Sequence, residues 1–476
     1  MAAIPNDVFF ATIPELNERL RSKEFKAEDL TRAFAQRLAQ LGPRLNALAL
    51  PLEQEALRKG REVDKDLKID RLRGPLQGIP YGVKDLLSYK GRPTTWGARP
   101  YAGQVFDFNA TVVDKLDSVG AVLTGKLAMV ELAGGGGYRL ASASLTGPGL
   151  NPWDRTRWSG GSSSGPAAAV AAGLVTFAIG SETSGSIVTP ASYCGVTALR
   201  PTYGLVSRHG AMALSWTLDK LGPFARSAED CGLILQVVAG RDSRDPGSAG
   251  QSFYYTPHYA RPMKELKLGY AAVDFADRAE EPARAAFQTA LAALKETGVT
   301  LVEIRLPQYP YGPILSAILA AEQASVFEPL IAGGKVDELA DTAQIAGLKA
   351  SLELPARDYL KAMRLRRSIQ EEFTRLFTEV DALLAPGRPG PATRLDQPLD
   401  RGGFQPAAGT PPGLQGIIPA GNLAGLPALV LPCGFADDLP VALQVVGAPF
   451  SENLLLAIGR EFQKATGWHK KKPPEL

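Results

Sequence analysis

The stretch GGSSSGPAAAVAAGLVTFAIGSETSGSIVTP, residues 160–190, carries both the fold class and the chemistry of this 476-residue chain. Two segments rich in glycine and serine bracket an alanine-rich helix predicted over 166–174 and an apolar strand predicted over 175–180. Ser162 lies in the first segment and Ser186 in the second. A strand that passes through a small-residue turn into a helix is typical of layered α/β sheets.

The same alternation of strands and helices extends along the chain in both directions. Residues 78–87 read as a short buried strand that carries one lysine. Strand patterns at 266–271 and 301–306 surround a helix predicted over 279–297, and residues 452–466 read as a closing helix. This order predicts an α/β fold in layers, with a mostly buried sheet.

The domain organisation is predicted to be simple. Thr12 and Glu15 have the spacing of a capping box, so the chain starts with a helix. The chain contains no internal repeat, and its pattern loosens only over a variable excursion at about 250–410. We therefore expect one compact unit over residues 1–476.

Composition and charge exclude several function classes. The 52 basic and 49 acidic residues give a net charge of +3, too small a bias to imply direct nucleic-acid binding. The N-terminus lacks a signal-peptide pattern, and no run of apolar residues is long enough to span a membrane, so a cytoplasmic protein is expected. Three scattered cysteines form no metal-binding pattern, and we expect neither a metal nor a cofactor.

Ser186 is the candidate nucleophile. It stands at a turn that enters a helix, where small residues allow backbone N–H groups to converge on one point. The backbone of Thr183, Ser184 and Gly185, together with that of Ser186, is the candidate oxyanion hole, favoured by the adjacent helix N-terminus. Taken alone, this segment is also compatible with an ordinary connecting turn.

Lys84 is the candidate general base for that serine. Its apolar neighbours favour burial, which disfavours the charged ammonium and leaves the amine able to accept a proton. Ser162 could bridge Lys84 and Ser186, as in the Ser-Lys variants of the serine triad. The alternative is an ion pair between Lys84 and Asp85. The chain has three histidines, His209, His258 and His469.

Two other motifs compete with this interpretation. Residues 120–126 have P-loop spacing, but Leu127 replaces the hydroxyl residue that would hold magnesium and the interior reads as an apolar strand. Residues 161–165 match the G-x-S-x-G elbow of α/β-hydrolases. The residues before that elbow do not read as a strand, and the elbow requires a histidine partner.

Taken together, these segments resemble the amidase signature family. The similarity is dense from about residue 74 to residue 210 and weaker beyond it. The resemblance implies an α/β/α fold around a large mixed sheet and a Ser–cis-Ser–Lys triad without a cofactor. In that triad Ser186 is acylated, Ser162 follows a cis peptide bond and Lys84 is the base. The matching segments are 78–85, 151–154, 160–163, 191–195, 200–204, 422–427 and 439–444.

The sequence also departs from the family pattern. The family usually has Asp-Thr-Gly-Gly-Ser-Ile-Arg at the nucleophile, whereas residues 182–188 read Glu-Thr-Ser-Gly-Ser-Ile-Val, so the geometry of this loop is open. By family position, a glycine-rich loop should line the acyl pocket as a bare wall. The predicted substrate-binding residues are Gly135, Gly136, Gly137, Tyr138 and Val188.

Two functions from different classes follow from the resemblance. The first is a stand-alone hydrolase of neutral, fairly apolar small-molecule amides, with aryl amides or carbamates as candidates, because Val188 and the glycine wall provide no cation for a charged acid. The second is the glutaminase component of a tRNA-dependent amidotransferase, which works with partner subunits. The resemblance is also compatible with a homodimer.

Overall fold

The computed structural model describes residues 4–256, 261–399 and 407–475. These residues form thirteen α-helices and one sheet of eleven strands. The predicted α/β class is confirmed. The strands are β1 (Leu48–Pro51), β2 (Pro80–Lys84), β3 (Val122–Leu127), β4 (Phe177–Glu182), β5 (Thr197–Arg200), β6 (Lys220–Ala225), β7 (Lys267–Tyr270), β8 (Thr300–Glu303), β9 (Ala382–Pro386), β10 (Ala428–Ala436) and β11 (Leu439–Gly447).

The thirteen α-helices lie between and around these strands in the chain. They are α1 (Ile13–Arg21), α2 (Ala27–Leu41), α3 (Glu53–Lys68), α4 (Thr111–Ser118), α5 (Ser164–Ala171), α6 (Val188–Cys194), α7 (Ala228–Val238), α8 (Glu281–Glu296), α9 (Tyr311–Ala332), α10 (Thr342–Ser351), α11 (Ala356–Leu376), α12 (Ile417–Ala424) and α13 (Glu452–Thr466).

The sheet is mixed, and its strand order is β1-β3-β2-β4-β6-β5-β10-β11-β9-β7-β8. β2 runs parallel to its neighbours β3 and β4, and β7 runs parallel to β8 and β9. The strands between β4 and β9 pair antiparallel. β7, β8 and β9 come from the variable excursion, so that part of the chain extends the same sheet.

The central strands are buried along their whole length. Every residue of β2, β3, β4 and β6 is buried, as expected for strands that helices cover on both faces. This is why these strands read as continuous apolar runs in the sequence rather than as alternating patterns. Three buried lysines, Lys84, Lys126 and Lys220, are exceptions to that apolar character.

Most of the predicted elements are confirmed, with small shifts at their ends. The helix predicted over 166–174 is α5, the strand predicted over 175–180 is β4, and the Thr12–Glu15 capping box is present at the start of α1. The helices α9 and α10 had no counterpart in the sequence analysis. Their apolar residues are spread around the helix instead of forming one face, so they give no periodic signal.

Helix α9 is long and apolar enough to cross a membrane by length and composition alone. It nevertheless packs against α10, α11 and α12. Its buried Glu322 accepts hydrogen bonds from the hydroxyls of Ser215 and Thr217, at 2.5 and 2.7 Å. These contacts identify α9 as a core helix of the helical layer.

A buried ion pair fixes the ends of β2 and β3. Lys126 Nζ lies 2.7 Å from Asp85 Oδ1, and both side chains are almost completely buried. Lys126 also donates to the Pro93 carbonyl at 2.8 Å and to the Thr94 hydroxyl at 2.5 Å. The P-loop interpretation of residues 120–126 is therefore wrong, because its lysine is an internal partner of Asp85 at the end of a buried strand.

Removing one partner of this pair should destabilise the fold strongly. We expect Lys126→Met to lower the free energy of unfolding by about 3–5 kcal/mol, since it leaves a buried carboxylate without its counter-charge. The measurement is urea unfolding followed by tryptophan fluorescence. The control is Asp117→Asn, which breaks the more exposed pair with Lys59 and should cost less than about 1 kcal/mol. Equal, small effects of both variants would contradict the role assigned to this pair.

Candidate active site

Lys84 is the last residue of β2, and its amine is enclosed by hydroxyl groups. The parallel register of β2 and β4 pairs Val83 with Ile179, which brings Lys84 beside the end of β4. Lys84 Nζ lies 2.7 Å from Ser162 Oγ, 2.9 Å from Ser181 Oγ and 3.1 Å from Ser163 Oγ. The side chain is fully buried, with 0% of its surface exposed.

The enclosure of Lys84 changes its acid–base behaviour. Burial lowers the pKa of the amine to about 7, although the nearby carboxylates of Asp219 and Glu182 act in the opposite direction. Asp85, the adjacent acidic residue in the chain, is paired with Lys126 instead. The ion-pair alternative for Lys84 is therefore excluded, and near neutral pH a large fraction of the amine is uncharged.

The Ser162 segment lies between β3 and α5, against the helix that follows Ser186. The peptide bond between Gly161 and Ser162 is cis, as the resemblance implied. Gly160 has a φ of +87°, and a Cβ built on it would lie 2.5 Å from the Cα of Pro190 in α6. This contact requires glycine, and it holds the serine-rich segment close to the nucleophile loop.

Ser163, the serine of the elbow pattern, has partners that differ from those of an α/β-hydrolase nucleophile. Its hydroxyl donates to the Ser181 carbonyl at 3.1 Å and also lies within hydrogen-bond distance of Lys84. No histidine takes part in these contacts. The elbow interpretation is therefore replaced by a cluster of three serines around one amine.

Ser186 stands in the turn between β4 and α6, with 8% of its surface exposed. In the described part of the chain, the backbone N–H groups of Thr183, Ser184, Gly185 and Ser186 have no hydrogen-bond acceptor. Buried N–H groups in folded proteins are almost always paired. Four adjacent free donors beside a serine hydroxyl suit the oxygen of a bound carbonyl group.

Glu182 fixes the backbone on the far side of this loop. Its Oε2 accepts hydrogen bonds from the N–H groups of Ile187 and Val188, at 2.8 and 3.0 Å. Its Oε1 accepts from Arg200 at 2.7 Å and from Asn422 at 2.8 Å. Glu182, which stands where the family usually has aspartate, thus reaches Arg200 on β5. Val188, which stands where the family usually has arginine, supplies no positive charge.

The electrostatics of Glu182 are consistent with an anchored carboxylate. Burial by itself would raise its pKa, but the charge and hydrogen bond of Arg200, with those of its other partners, bring the pKa down to about 2 from the usual 4.5. A depressed carboxyl pKa stabilises the fold fully above about pH 4.5, and this stabilisation is lost as the pH falls toward 2.

A second carboxylate holds the start of the loop. Asp219 Oδ1 accepts a hydrogen bond from the Thr183 hydroxyl at 2.6 Å. Its other oxygen accepts from the N–H groups of Leu214 and Ser215, at 2.8 and 2.9 Å. The side chain of Thr183 therefore links the loop, through Asp219, to the segment before β6.

The predicted glycine wall is packed rather than bare. Gly135 is buried, and a Cβ built on it would lie 2.9 Å from Leu214. Gly136 donates its N–H to Gln323 on α9 at 2.8 Å, and Gly347 of α10 can approach its carbonyl because neither residue has a side chain. Gly137 is exposed. These glycines allow two helices to dock onto the loop, which the sequence did not reveal.

Tyr138 and Val188 lie in different environments. Tyr138 reaches back over the serine segment, where a Cβ built on Gly161 would lie 2.9 Å from its hydroxyl and 2.7 Å from the Trp158 ring. Val188 is fully buried in an apolar cluster with residues such as Leu38 and Phe224. Its side chain belongs to the core, and its contribution to the site is the N–H that Glu182 accepts.

A cavity of about 410 Å³ reaches the catalytic layer at Ser181 and Thr183. Its walls include Leu86, Met212 and Leu214. Within the described residues, no group of three or more histidine, cysteine, aspartate or glutamate side chains is arranged to hold a metal ion. His209 lies on the wall of this cavity, and His258 lies outside the described residues.

Comparison with known proteins identifies the family to which these features belong. The Amidase family profile matches residues 29–456. The chain belongs to the amidase signature family. Membership makes it an enzyme that hydrolyses amide C–N bonds, and the expected α/β fold with a large mixed sheet agrees with the known structures of this family.

Two kinds of family member are similar to this chain. The A-type component of glutamyl-tRNA(Gln) amidotransferase from Synechococcus sp. (strain JA-2-3B'a(2-13)) is 37% identical, and the alignment covers 98% of this chain and 94% of the relative. The structure of the same component from Thermotoga maritima superposes with a TM-score of 0.80 at 29% identity, covering 99% of both chains. The peptide amidase of Stenotrophomonas maltophilia gives a TM-score of 0.81 at 29% identity, covering 96% of this chain and 97% of that one.

Ser181, Asp219, Arg200 and Asn422 of this amidase signature enzyme were not predicted as site residues. Ser181 could have been found, because it follows a predicted strand and precedes the nucleophile by five positions. Arg200 and Asn422 lie in segments that match the family, but their shared partner Glu182 is reached only through the order of the strands, as is Thr183, the partner of Asp219.

The rate of amide hydrolysis should depend on the charge of Lys84. We expect kcat/KM to fall about tenfold for each pH unit below about 7 and to be level above it, because only the neutral amine accepts a proton. The measurement is a pH–rate profile between about pH 5 and pH 9. Ser181→Ala removes an oxygen that stabilises the ammonium form, so its acidic limb should shift to lower pH. A wild-type profile that is level through pH 7 would contradict this assignment.

Breaking the Glu182–Arg200 pair should disorganise the nucleophile loop. We expect Glu182→Gln to reduce kcat by about 100-fold or more with a smaller change in KM, because the loop places the groups that stabilise the transition state. The free energy of unfolding should fall by about 3–5 kcal/mol. Glu461→Gln, which breaks an exposed pair with Lys464, is the control. A Glu182→Gln enzyme with unchanged kcat would refute the positioning role.

Proposed function

We propose that this enzyme hydrolyses neutral, fairly apolar amides, including aryl amides or carbamates, through an acyl-enzyme on Ser186. The observation that carries this proposal is a largely apolar cavity whose wall includes Ser181 and Thr183, where the nucleophile loop begins. A volume of about 410 Å³ is within the usual range of small-molecule sites.

Both arginines in the wall of this cavity are already engaged with a carboxylate. Arg208 pairs with Asp245 at 2.6 Å, and Arg244 pairs with Asp242 at 3.1 Å. An arginine held by a carboxylate has little remaining attraction for the carboxylate of a substrate. The remaining wall is formed mainly by aliphatic and aromatic side chains, which favour an apolar group: Leu86, Ala133, Ala211, Met212, Ala213, Leu214, Trp216 and Leu221.

In the proposed acylation step, Lys84 acts as the base through Ser162. The neutral amine takes the proton of Ser162, while Ser162 takes the proton of Ser186, and Ser186 Oγ forms a bond to the amide carbon. The N–H groups of Thr183, Ser184, Gly185 and Ser186 stabilise the oxyanion. The C–N bond then breaks as the relay returns the proton to the leaving nitrogen.

Deacylation uses the same groups in the reverse sense. A water molecule loses a proton to the relay and attacks the ester carbon, and Ser186 regains its proton as the acid leaves. Ser163 and Ser181 take no part in bond changes in this scheme. They hold Lys84 Nζ at 3.1 and 2.9 Å, which fixes the amine toward Ser162.

A second candidate function is that of the A-type component of a glutamyl-tRNA(Gln) amidotransferase. It is favoured by relatives of that name, which are 34–37% identical over almost the whole chain. In that role the site would have to hold the charged ends of glutamine, and the chain would have to bind partner subunits. A homodimer, a cytoplasmic location and the absence of direct nucleic-acid contact stay predictions.

An activity panel on the purified chain separates the two candidates. We expect turnover of aryl and alkyl amides, such as 4-nitroanilides and benzamide, with acyl adducts on Ser186 detected by intact-mass spectrometry. Glutamine should be a poor substrate, because the two arginines of the cavity wall are already paired with aspartates. Ser186→Ala should give no adduct and retain the fold, since it replaces a hydroxyl with a hydrogen.

The matched control is Ser184→Ala, which removes a neighbouring hydroxyl and keeps the N–H groups of the loop. It should retain adduct formation. If the purified chain hydrolysed glutamine but no anilide or aliphatic amide, the proposed hydrolysis of apolar amides would be rejected in favour of the amidotransferase role.

A further inference from the structure

Trp216 is an exposed tryptophan in the wall of the cavity that also includes Ser181 and Thr183. It has 43% of its surface exposed, whereas tryptophan side chains in folded proteins are on average highly buried. Its ring is not part of the four hydrophobic clusters that the buried and partly buried described residues form. Packing of the core therefore does not account for a tryptophan at this position.

The residues on both sides of Trp216 are held by two helices. Glu322 of α9 accepts hydrogen bonds from the hydroxyl of Ser215 at 2.5 Å and from the hydroxyl of Thr217 at 2.7 Å. It also accepts from the N–H of Thr217 at 3.2 Å. Arg366 of α11 donates to the Thr217 carbonyl at 2.8 Å. The backbone that carries Trp216 is thus fixed to α9 and α11.

Two further residues of the cavity wall hold the carbonyl group of Trp216 itself. The Tyr203 hydroxyl donates to this carbonyl at 2.7 Å, and Arg208 donates to it as well. The Arg208 guanidinium lies 4.9 Å from the centre of the Tyr203 ring and is paired with Asp245. The main chain of Trp216 is therefore held in place, while its side chain stays exposed.

One buried carboxylate connects this segment to the nucleophile loop. Asp219 Oδ1 accepts a hydrogen bond from the Thr183 hydroxyl at 2.6 Å, and Oδ2 accepts from the N–H of Ser215, the residue before Trp216, at 2.9 Å. This connection gives Trp216 a defined position relative to the loop that carries Ser186. A group bound against Trp216 would therefore help to orient the rest of the substrate.

We propose that Trp216 is a specificity-determining residue whose indole selects substrates that place an aromatic ring in the cavity. This inference rests on the proposed hydrolysis at Ser186 and adds the class of group that the cavity binds. An aromatic ring gains stacking with the indole in addition to burial of its surface, whereas a saturated ring of similar size gains burial alone. The aliphatic wall residues Leu86 and Met212 do not discriminate between the two rings in this way.

The test uses two pairs of amides, which place the ring on either side of the amide bond. They are benzamide with cyclohexanecarboxamide, and acetanilide with N-cyclohexylacetamide. We expect Trp216→Leu to lower the aromatic-to-saturated ratio of kcat/KM by about fivefold in the pair whose ring occupies the cavity, and Trp216→Phe to keep that ratio within about twofold of wild type. The loss should fall mainly on KM, because stacking acts equally in the ground state and the transition state.

Two control variants separate an aromatic contact from a general loss of apolar surface. Met212→Ala removes an aliphatic side chain from the same cavity, so it should affect both members of a pair alike. Tyr254→Leu removes an aromatic side chain that is 74% exposed and lies outside the cavity wall, so it should not change the ratios. The proposal would be overturned if Trp216→Leu, with the urea unfolding of the wild type, kept both ratios within about twofold of their wild-type values.

Binding to the Ser186→Ala enzyme distinguishes a failure of this inference from a failure of the proposed function. Titration calorimetry with the same amides, with and without Trp216→Leu, measures the preference for the aromatic ring without turnover. If the wild type hydrolyses none of these amides but Ser186→Ala binds an aromatic member more tightly and loses that preference in Trp216→Leu, the proposed function is rejected and the role of Trp216 is supported. If the amides are hydrolysed and neither ratio responds to Trp216, only the role of Trp216 is rejected.

Discussion

The candidate active site depends on Lys84, a lysine that is buried without a carboxylate in contact with its amine. Lys84 and Lys126 stand on adjacent parallel strands, but Asp85 pairs with Lys126 and leaves Lys84 among three serine hydroxyls. Hydroxyl groups provide hydrogen bonds to an amine without the charge that would keep it protonated. Burial therefore lowers the pKa of Lys84, and no carboxylate in contact with the amine offsets that effect.

Two carboxylates hold the nucleophile loop in place without contacting the amine of Lys84. Glu182 holds the N–H groups of Ile187 and Val188, and Asp219 holds the hydroxyl of Thr183. Between these anchors, the N–H groups around Ser186 stay free. In the proposed mechanism, the groups on either side of the loop hold it ready for the negative charge that develops on a substrate oxygen.

Sequence patterns were sufficient to predict the α/β class, the strand that carries Lys84, the strand that ends beside Ser181, and the candidate residues Lys84, Ser162 and Ser186. They were insufficient for contacts that depend on strand order. Glu182 meets Arg200 because β4 and β5 both pair with β6, and it meets Asn422 240 positions away. Neither partnership leaves a local trace in the sequence.

The glycine loop shows the same limitation at the level of packing. A run of glycines predicts a flexible backbone, but it does not predict which other element packs into the space left by the missing side chains. Here α9 and α10 dock onto Gly135 and Gly136. Both helices are apolar on several sides, so no amphipathic periodicity in the sequence predicted them. The bare wall expected from the sequence is a tightly packed helix contact in the folded chain.

The enclosure of Lys84 has a consequence for the survival of the enzyme through many turnovers. An uncharged amine attacks esters more readily than water does, and an acyl group that migrated from Ser186 to Nζ would form a stable amide on the protein itself. Lys84 has none of its surface exposed, and its amine is surrounded by the hydroxyls of Ser162, Ser163 and Ser181. In the proposed mechanism, this enclosure would keep the ester on Ser186 from reaching the amine and would protect the enzyme from inactivation by its own intermediate.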